Sequence, residues 1–272
     1  MYEKFFGLSR KPFSAAPDPS MYVASENAER VVKRLSYAAG ENIGGFLLTG
    51  PAGCGKTLLL EKLALSAAAA QEFLFVRAGK MDGDAMAAAL LRAAGLLGAD
   101  FEGDLPERNS SLARLAAHLA KRAKSGKKLT IIIDGAEWVD NDGLCVLEML
   151  NDLRRNGTFL ATFILAGQDS MATRILSLPG LRDRLALSAR VEPLSADGCV
   201  QYATERMRTV GGTDGTFADE ALSALFIYSK GVPRRVNRVA DLALLTAFGL
   251  EKRQVDSEVM AAVIEEISQN PV

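Results

Sequence analysis

Histidine is nearly missing from this 272-residue sequence, which holds one, and cysteine is scarce at three. His118 has no evident pairing group to make it a catalyst, and it reads as a surface or boundary residue. Cys54, Cys145 and Cys199 lie far apart with no metal-type spacing, which suggests neither a disulfide framework nor a zinc site and suits a reducing cytosol. Charge of one sign is lacking as well. A net charge of -1 removes any general attraction to nucleic acid or anionic membrane, and only a local basic patch would restore one. Nucleic acid is not favoured as a partner on this ground. Long apolar runs are missing too: the stretch from Ala240 to Leu250 is interrupted by Asp241 and is too short to cross a bilayer. The opening residues, with Glu3, Lys4, Arg10, Lys11 and Pro12, make no secretory leader, so a soluble, cytoplasmic chain is expected. Hydrophobic residues at 49% and charged ones at 24% are those of an ordinary globular protein, with length for one large or two modest domains.

What is present is a complete glycine-rich motif, Gly50-Pro51-Ala52-Gly53-Cys54-Gly55-Lys56-Thr57, which fits G-x-x-x-x-G-K-[ST] without a mismatch. The apolar run Ile43 to Leu48 precedes it and Leu58 to Ala64 follows, so the loop sits where a buried strand turns into a helix. Glycines at 50, 53 and 55 let successive N–H groups converge on one anion, and the helix starting near Lys56 adds its positive end. Lys56 would reach the β and γ phosphates as a point charge, and the Thr57 hydroxyl would ligate Mg2+. Nucleotide binding is the reading of this stretch.

The order of elements predicts a fold class. Residues 1–23 mix aromatics with turn signals at Pro12, Pro17, Asp18 and Pro19, and are expected to lie extended across the surface. Ser25 caps a helix running to Ala39 and ended by Gly40. After the glycine-rich loop come a helix from Lys56 to Ala70, a strand from Glu72 to Val76 and a helix from Asp84 to Ala94. A polar connection over 98–109 leads to a helix with Leu112, Leu115, Ala116 and Leu119 at helical spacing, whose basic end and turn are Lys121 to Lys128. Then follow the strand Leu129 to Asp134, a helix from Leu144 to Arg154 and a strand from Phe159 to Ala166. Strands that are continuous apolar runs alternating with helices indicate an α/β fold, a parallel sheet sandwiched by helices. Beyond Pro193 the strand pattern stops, and helices are predicted from Ser195 to Met207, Phe217 to Tyr228, Arg235 to Phe248 and Ser257 to Ile267. The expected division is 1–194, an α/β nucleotide-binding domain, and 195–272, an all-helical domain.

Several side chains could serve the loop. Asp134, at the end of a buried strand, suits Mg2+ held through water while Thr57 holds it directly. Many ATPases of this build place a glutamate right after that aspartate to activate water, but Gly135 stands here. Glu137 is the nearest carboxylate, either a general base or a solvated turn residue. Gln168, just past a strand, could orient water or contact the γ-phosphate, or be a polar loop residue. Arg182 and Arg184 in Gly180-Leu181-Arg182-Asp183-Arg184-Leu185 offer forks suited to a neighbouring subunit's phosphates, with plain surface solvation as the alternative. Arg234 follows Pro233 at a helix start, so its direction is set and it could swing onto a nucleotide as the domains close.

The glycine-rich loop, Asp134, Gln168, the LRDRL segment and the GVPRRVN segment, in this order, resemble the AAA+ ATPases over almost the whole chain. More narrowly, Tyr2, Phe5-Phe6-Gly7-Leu8, Pro12-Phe13-Ser14 and Pro17-Asp18-Pro19 resemble the start of ExeA-type (general secretion pathway protein A) ATPases, and Leu165-Ala166-Gly167-Gln168 their sensor-1 segment. The resemblance implies a P-loop NTPase sheet with a helical lid, ATP and Mg2+ as cofactors, and a Walker A loop at 50–57 continuing into Leu58. It implies a Walker B Asp134, a sensor-1 Gln168, an arginine finger at Arg184 or Arg182, a sensor-2 Arg234, and an adenine pocket lined near Tyr22 and Val23. Gly135 departs from the family's pattern and bears on hydrolysis, leaving binding intact.

Three functions are compatible with these residues. One is an oligomerising ATPase that drives or regulates assembly of a secretion or envelope-polysaccharide export machine, recruited to the inner face of the membrane by a protein partner, with Arg184 or Arg182 acting in trans. A second is a nucleotide-gated switch with little hydrolysis, because of Gly135. The third is a transposition regulator, since TniB/TnsC-type ATPases look similar in the same core.

Overall fold

The computed structural model describes residues 1–98 and 107–269. Its elements, in chain order, are α1 (Tyr2–Phe5), α2 (Glu26–Glu41), β1 (Gly45–Thr49), α3 (Lys56–Leu65), β2 (Gln71–Arg77), α4 (Gly83–Ala93), α5 (Arg108–Lys124), β3 (Lys128–Asp134) and α6 (Asn141–Asn151). There follow β4 (Arg154–Arg155), β5 (Thr158–Phe159), β6 (Thr162–Ala166), α7 (Asp169–Leu176), α8 (Pro179–Arg182), β7 (Leu185–Arg190), α9 (Ala196–Thr209), α10 (Asp219–Ser229), α11 (Pro233–Gly249) and α12 (Ser257–Gln269). Most of the predicted polar connection at 98–109 lies outside the described residues.

The chain forms two compact units, one of Met1–Ala28, Pro51–Leu58 and the chain from Glu192 onward, the other of Glu29–Gly50 and Leu59–Val191. The second unit holds a parallel five-stranded sheet in the order β2-β3-β6-β1-β7. Its inner strands are apolar because both faces are covered: every residue of β1 and β6 is buried, as are Leu129 to Ile133 of β3. Leu90, Leu91, Leu115, Leu119, Leu144 and Leu147, from the surrounding helices, belong to the same core. The predicted α/β sandwich is the fold found.

Four local expectations are corrected. The strand β7 at the sheet edge was not expected; it alternates half-buried Leu185 and Leu187 and buried Ala189 with exposed Ala186, Ser188 and Arg190, as a one-sided edge strand does. Helix α3 stops at Leu65 rather than Ala70, because the Ala70 carbonyl is drawn into the sheet, where it accepts the Lys128 N–H at 2.9 Å. The expected strand from Phe159 is instead a small antiparallel hairpin, β4 with β5, followed by β6. Asn156 and Gly157, with φ of 52° and 78°, make its two-residue turn, and Asn-Gly is the sequence signal for that turn.

The fourth correction concerns the first residues, which are anchored rather than laid over a surface. Tyr2, Leu8, Phe13 and Met21 are buried in the core that α9 to α12 build around Cys199, Ala203, Leu225, Ala240 and Val263. Phe13 packs edge-on against Phe217, with ring centroids 5.9 Å apart. Polar groups tie the same segment down: the Tyr2 hydroxyl donates to Asp241, Arg206 donates to the Pro12 carbonyl at 3.0 Å, and Asn237 to that of Ser14 at 3.3 Å. Burial also pushes the Cys199 thiol up to about 11, which leaves it protonated and unreactive at neutral pH. Phe13→Ala is expected to lower the unfolding free energy by about 3–5 kcal/mol, measured by urea denaturation; a loss under about 1 kcal/mol would mean that the segment is not part of this core.

Candidate functional site

The loop between β1 and α3 is shaped by backbone. Gly53 has φ of 85°, and a methyl group there would lie 2.8 Å from the Arg234 Cβ and 3.2 Å from the Val232 Cγ1. Glycine is required on both counts, left-handed dihedrals and close approach. The Arg234 N–H donates to the Gly53 carbonyl at 3.1 Å, so the start of α11 is hydrogen-bonded to the loop. Pro233, at the first position of that helix, has no N–H to spend there and sets the entry angle. The Arg234 side chain is exposed. Within the loop the Cys54 N–H reaches the Pro51 carbonyl at 3.4 Å, and the Lys56 ammonium donates to the same oxygen at 3.1 Å. A methyl group built at Gly55 would meet nothing within 4 Å, so the space beside that residue is open. These residues fit a phosphate.

Pro51, Ala52, Gly53, Gly55, Lys56, Thr57 and Leu58 are half-buried or exposed, and Cys54 is buried. Gly50, at the end of β1, belongs to the sheet unit, where the Val191 backbone passes within 2.3 Å of the position a Cβ would take. Tyr22 and Val23 follow a short turn at Pro19–Met21, and Val23 packs against the helical core.

The sheet unit gathers a second group at the carboxyl ends of β3 and β6. Asp134 pairs with Ala166 across the two strands, and the Gly135 N–H donates to the Ala166 carbonyl at 2.9 Å. Gly135 has φ of 86°, with the Ala78 carbonyl oxygen 3.0 Å from where a Cβ would sit. A glutamate at this position would be strained, by about 1–2 kcal/mol for the dihedrals alone. That is a physical reason for glycine after Asp134.

The chain then turns through Ala136–Trp138 and carries Glu137 back to Gly167, with its Oε2 2.9 Å from the position of a Cβ there. This carboxylate oxygen is buried and, among the described residues, has no hydrogen-bond partner. Buried polar atoms are seldom left so, and one beside a strand end calls for a ligand or water. Gln168, the next residue, is half-buried at the start of α7 and makes no capping bond. Asp134, Glu137 and Gln168 are thus neighbours within the unit.

Arg184 is not brought to this group. It lies where β7 begins, with its carbonyl accepting the Gly45 N–H at the amino end of β1, so it sits at the opposite end of the sheet. Its guanidinium is clamped by Asp152 at 2.7 and 2.5 Å, by Glu148 at 3.0 Å and by the Gly180 carbonyl at 2.6 Å. The hydrogen bond from Arg184 holds the Asp152 carboxyl below the usual range. Sequence reasoning missed this clamp, although Glu148 and Asp152 stand four residues apart at the end of α6, a spacing that puts them on one face. Arg182 pairs with the adjacent Asp183 and is half-exposed. Cys145 is exposed on α6, and His118 is half-buried with its pKa lowered, first by desolvation and then by Arg122. Among the described residues no group of three or more His, Cys, Asp and Glu side chains could hold a metal on its own. A cation here would need phosphate and water ligands as well.

A family model described as an AAA domain matches residues 41–175. The chain is 28% identical over 256 residues to General secretion pathway protein A of Aeromonas hydrophila, covering 91% of this chain and 45% of the relative, so it spans about half of that protein. Similar solved structures include the Aeropyrum pernix ORC1 protein in complex with DNA, with a TM-score of 0.73 at 16% identity over 95% of this chain and 69% of that one. The Thermotoga maritima RuvB Holliday junction branch migration motor aligns with a TM-score of 0.61 at 16% identity over 95% of this chain and 74% of that one. Such structural likenesses establish the fold of a P-loop NTPase.

Gly53→Ala is expected to destabilise the protein by about 1–2 kcal/mol through its dihedrals, and further through contact with Arg234. An unchanged urea midpoint would show that the loop does not hold this conformation in solution.

Proposed function

We propose, from the premise that the chain is an ExeA-like AAA+ ATPase, that it binds Mg-ATP on residues 50–58 and hydrolyses it with Glu137 as the general base. The observation that carries the catalytic half is the Glu137 Oε2 beside Gly167, buried and without a hydrogen-bond partner among the described residues. A carboxylate oxygen with an unused acceptor site at a strand end is what an attacking water needs. Lys56 neutralises the β and γ phosphates, Thr57 and Asp134 have the oxygen ligands that Mg2+ prefers, and Gln168 orients the water. Bound Mg2+ supplies charge stabilisation to the transferring phosphoryl group. Tyr22 and Val23 are assigned to the adenine, and Arg234 to the phosphates. The division into a nucleotide-binding domain over 1–194 and a lid over 195–272 is part of this proposal.

Arg184, or Arg182 beside it, is assigned to a neighbouring subunit's nucleotide, because Arg184 lies at the opposite end of the sheet from Asp134, Glu137 and Gln168 in its own subunit. The function is then nucleotide-dependent self-association that drives or regulates a secretion or envelope-export machine, by analogy with General secretion pathway protein A. No helix among the described residues is long and apolar enough to cross a membrane; recruitment to the membrane's inner face by a protein partner is part of this proposal.

A second reading is favoured by Gly135, which occupies the position where the related ATPases carry their catalytic glutamate: a switch that binds ATP and barely turns it over. Glu137→Gln separates the two. With Glu137 as base, the variant keeps its calorimetric affinity for ATP and loses turnover by about 10²–10⁴-fold. If turnover is negligible in both proteins, the switch reading stands. Lys56→Ala is expected to abolish the ATP titration signal, and a retained signal would refute binding at this loop. Turnover per subunit is expected to rise with protein concentration, and Arg184→Ala to lower it by about 10³-fold. A flat profile indifferent to Arg184→Ala and to Arg182→Ala would refute action in trans.

A further inference from the structure

At the amino end of the sheet, away from Asp134 and Glu137, lies a groove of about 400 Å3 between the α5–β3 turn and the β4–β5 hairpin. One wall carries Lys127 and Lys128, the other Arg155, Asn156 and Thr158, with Asn42 beside them. None of the lining residues bears a carboxylate. The surroundings add positive charge, since the last turn of α5 contains Lys121, Arg122 and Lys124 and the hairpin contributes Arg154. Some of this charge is compensated: Glu72 takes Arg122 at 2.7 Å and Lys127 at 3.7 Å. Lys127 and Lys128 also donate to the Ala69 and Gly40 carbonyls, contacts that fix the ammonium groups in place without neutralising them. Arg155 is exposed at the turn. A chain with a net charge of -1 has therefore gathered cations around one concavity.

We propose that this groove binds the phosphodiester backbone of a single-stranded nucleic acid, independent of base sequence. The chemistry of the lining favours this occupant over two others. An amphipathic acidic peptide needs an apolar anchor, and a membrane surface is met by exposed apolar side chains beside the cations. Here Leu160 is buried and the Phe159 ring is capped by the Arg154 guanidinium, 4.5 Å from its centroid. What the walls present is Lys and Arg together with the amide and hydroxyl groups of Asn42, Asn156 and Thr158, the side-chain types that contact phosphate and sugar. The groove is also concave, which suits a strand threaded between two walls better than a flat bilayer.

The test is fluorescence anisotropy of the full chain with a labelled mixed-sequence oligonucleotide of about 20 nucleotides, alongside phosphatidylserine vesicles and a poly-glutamate peptide. Three wall cations predict a slope of log affinity against log salt of about -2, or roughly a 20-fold loss between about 50 and 200 mM salt. Lys127→Ala with Arg155→Ala is expected to bring the slope to about -0.7 while ATP turnover stays unchanged. Arg155→Glu alone, on an exposed turn, should weaken the oligonucleotide and leave folding intact by circular dichroism. Absence of oligonucleotide binding at low salt, binding indifferent to both variants, or tighter binding of the vesicles or the peptide would each overturn the proposal.

Discussion

The in-register parallel pairing of β3 with β6 is the constraint on which the carboxyl end of the sheet depends. It sets Asp134 opposite Ala166, and the Gly135 N–H then closes on the Ala166 carbonyl. With the strand ended in that way and Gly135 in the left-handed region, the next residues turn tightly and Glu137 returns to Gly167. A slip of one residue would reverse every side chain on the strand and separate these groups. The buried isoleucines at 131, 132 and 133 hold the register, each contributing about 1.5–3 kcal/mol by burial.

The glycine-rich loop depends on a different contact. Its shape at Gly53 is maintained by the backbone of Arg234, so the sequence motif and the start of α11 are parts of one arrangement. Each compact unit orders its own share of the proposed site by main-chain hydrogen bonds and forbidden Cβ positions, with few demands on flexible side chains. Arg184 is organised differently. Held by two carboxylates and a carbonyl, it is a buttress of the α6–α8 corner in the isolated chain, and any role toward another molecule would first have to release it.

The parts of this organisation that the sequence made legible are those written in residue type and spacing. The loop motif, the apolar runs of the central strands and the helices after Pro193 all have local signatures, and the resemblance to AAA+ ATPases rested on their order, with an AAA domain model matching residues 41–175. The edge strand β7 has only a weak signature in the sequence, because its alternation is short and follows directly on the arginines at 182 and 184. The hairpin was missed although Asn156-Gly157 announced it, because Arg154 continues the helical pattern of α6 and Phe159 the apolar pattern of β6. The proximity of Glu137 to Gly167 and the clamp on Arg184 had no local signature at all. They arise from strand register and from a helix end meeting a strand start, which only the tertiary arrangement specifies.

The anchoring of the first residues bears on how the molecule is assembled in time. Tyr2 meets Asp241 and Phe5 meets Phe248, so the helical unit needs segments from both extremes of the described chain, with the sheet strands emerging from the ribosome in between. Contacts at such separation form late, since the intervening chain must be brought back before they bring any gain. The entropic penalty itself grows only as the logarithm of the intervening length, about 0.6 kcal/mol per doubling. Until α11 is made, Tyr2 and Phe5 lack Asp241 and Phe248, and a nascent chain stalled at that stage presents these two aromatic residues to chaperones or to other unfinished copies.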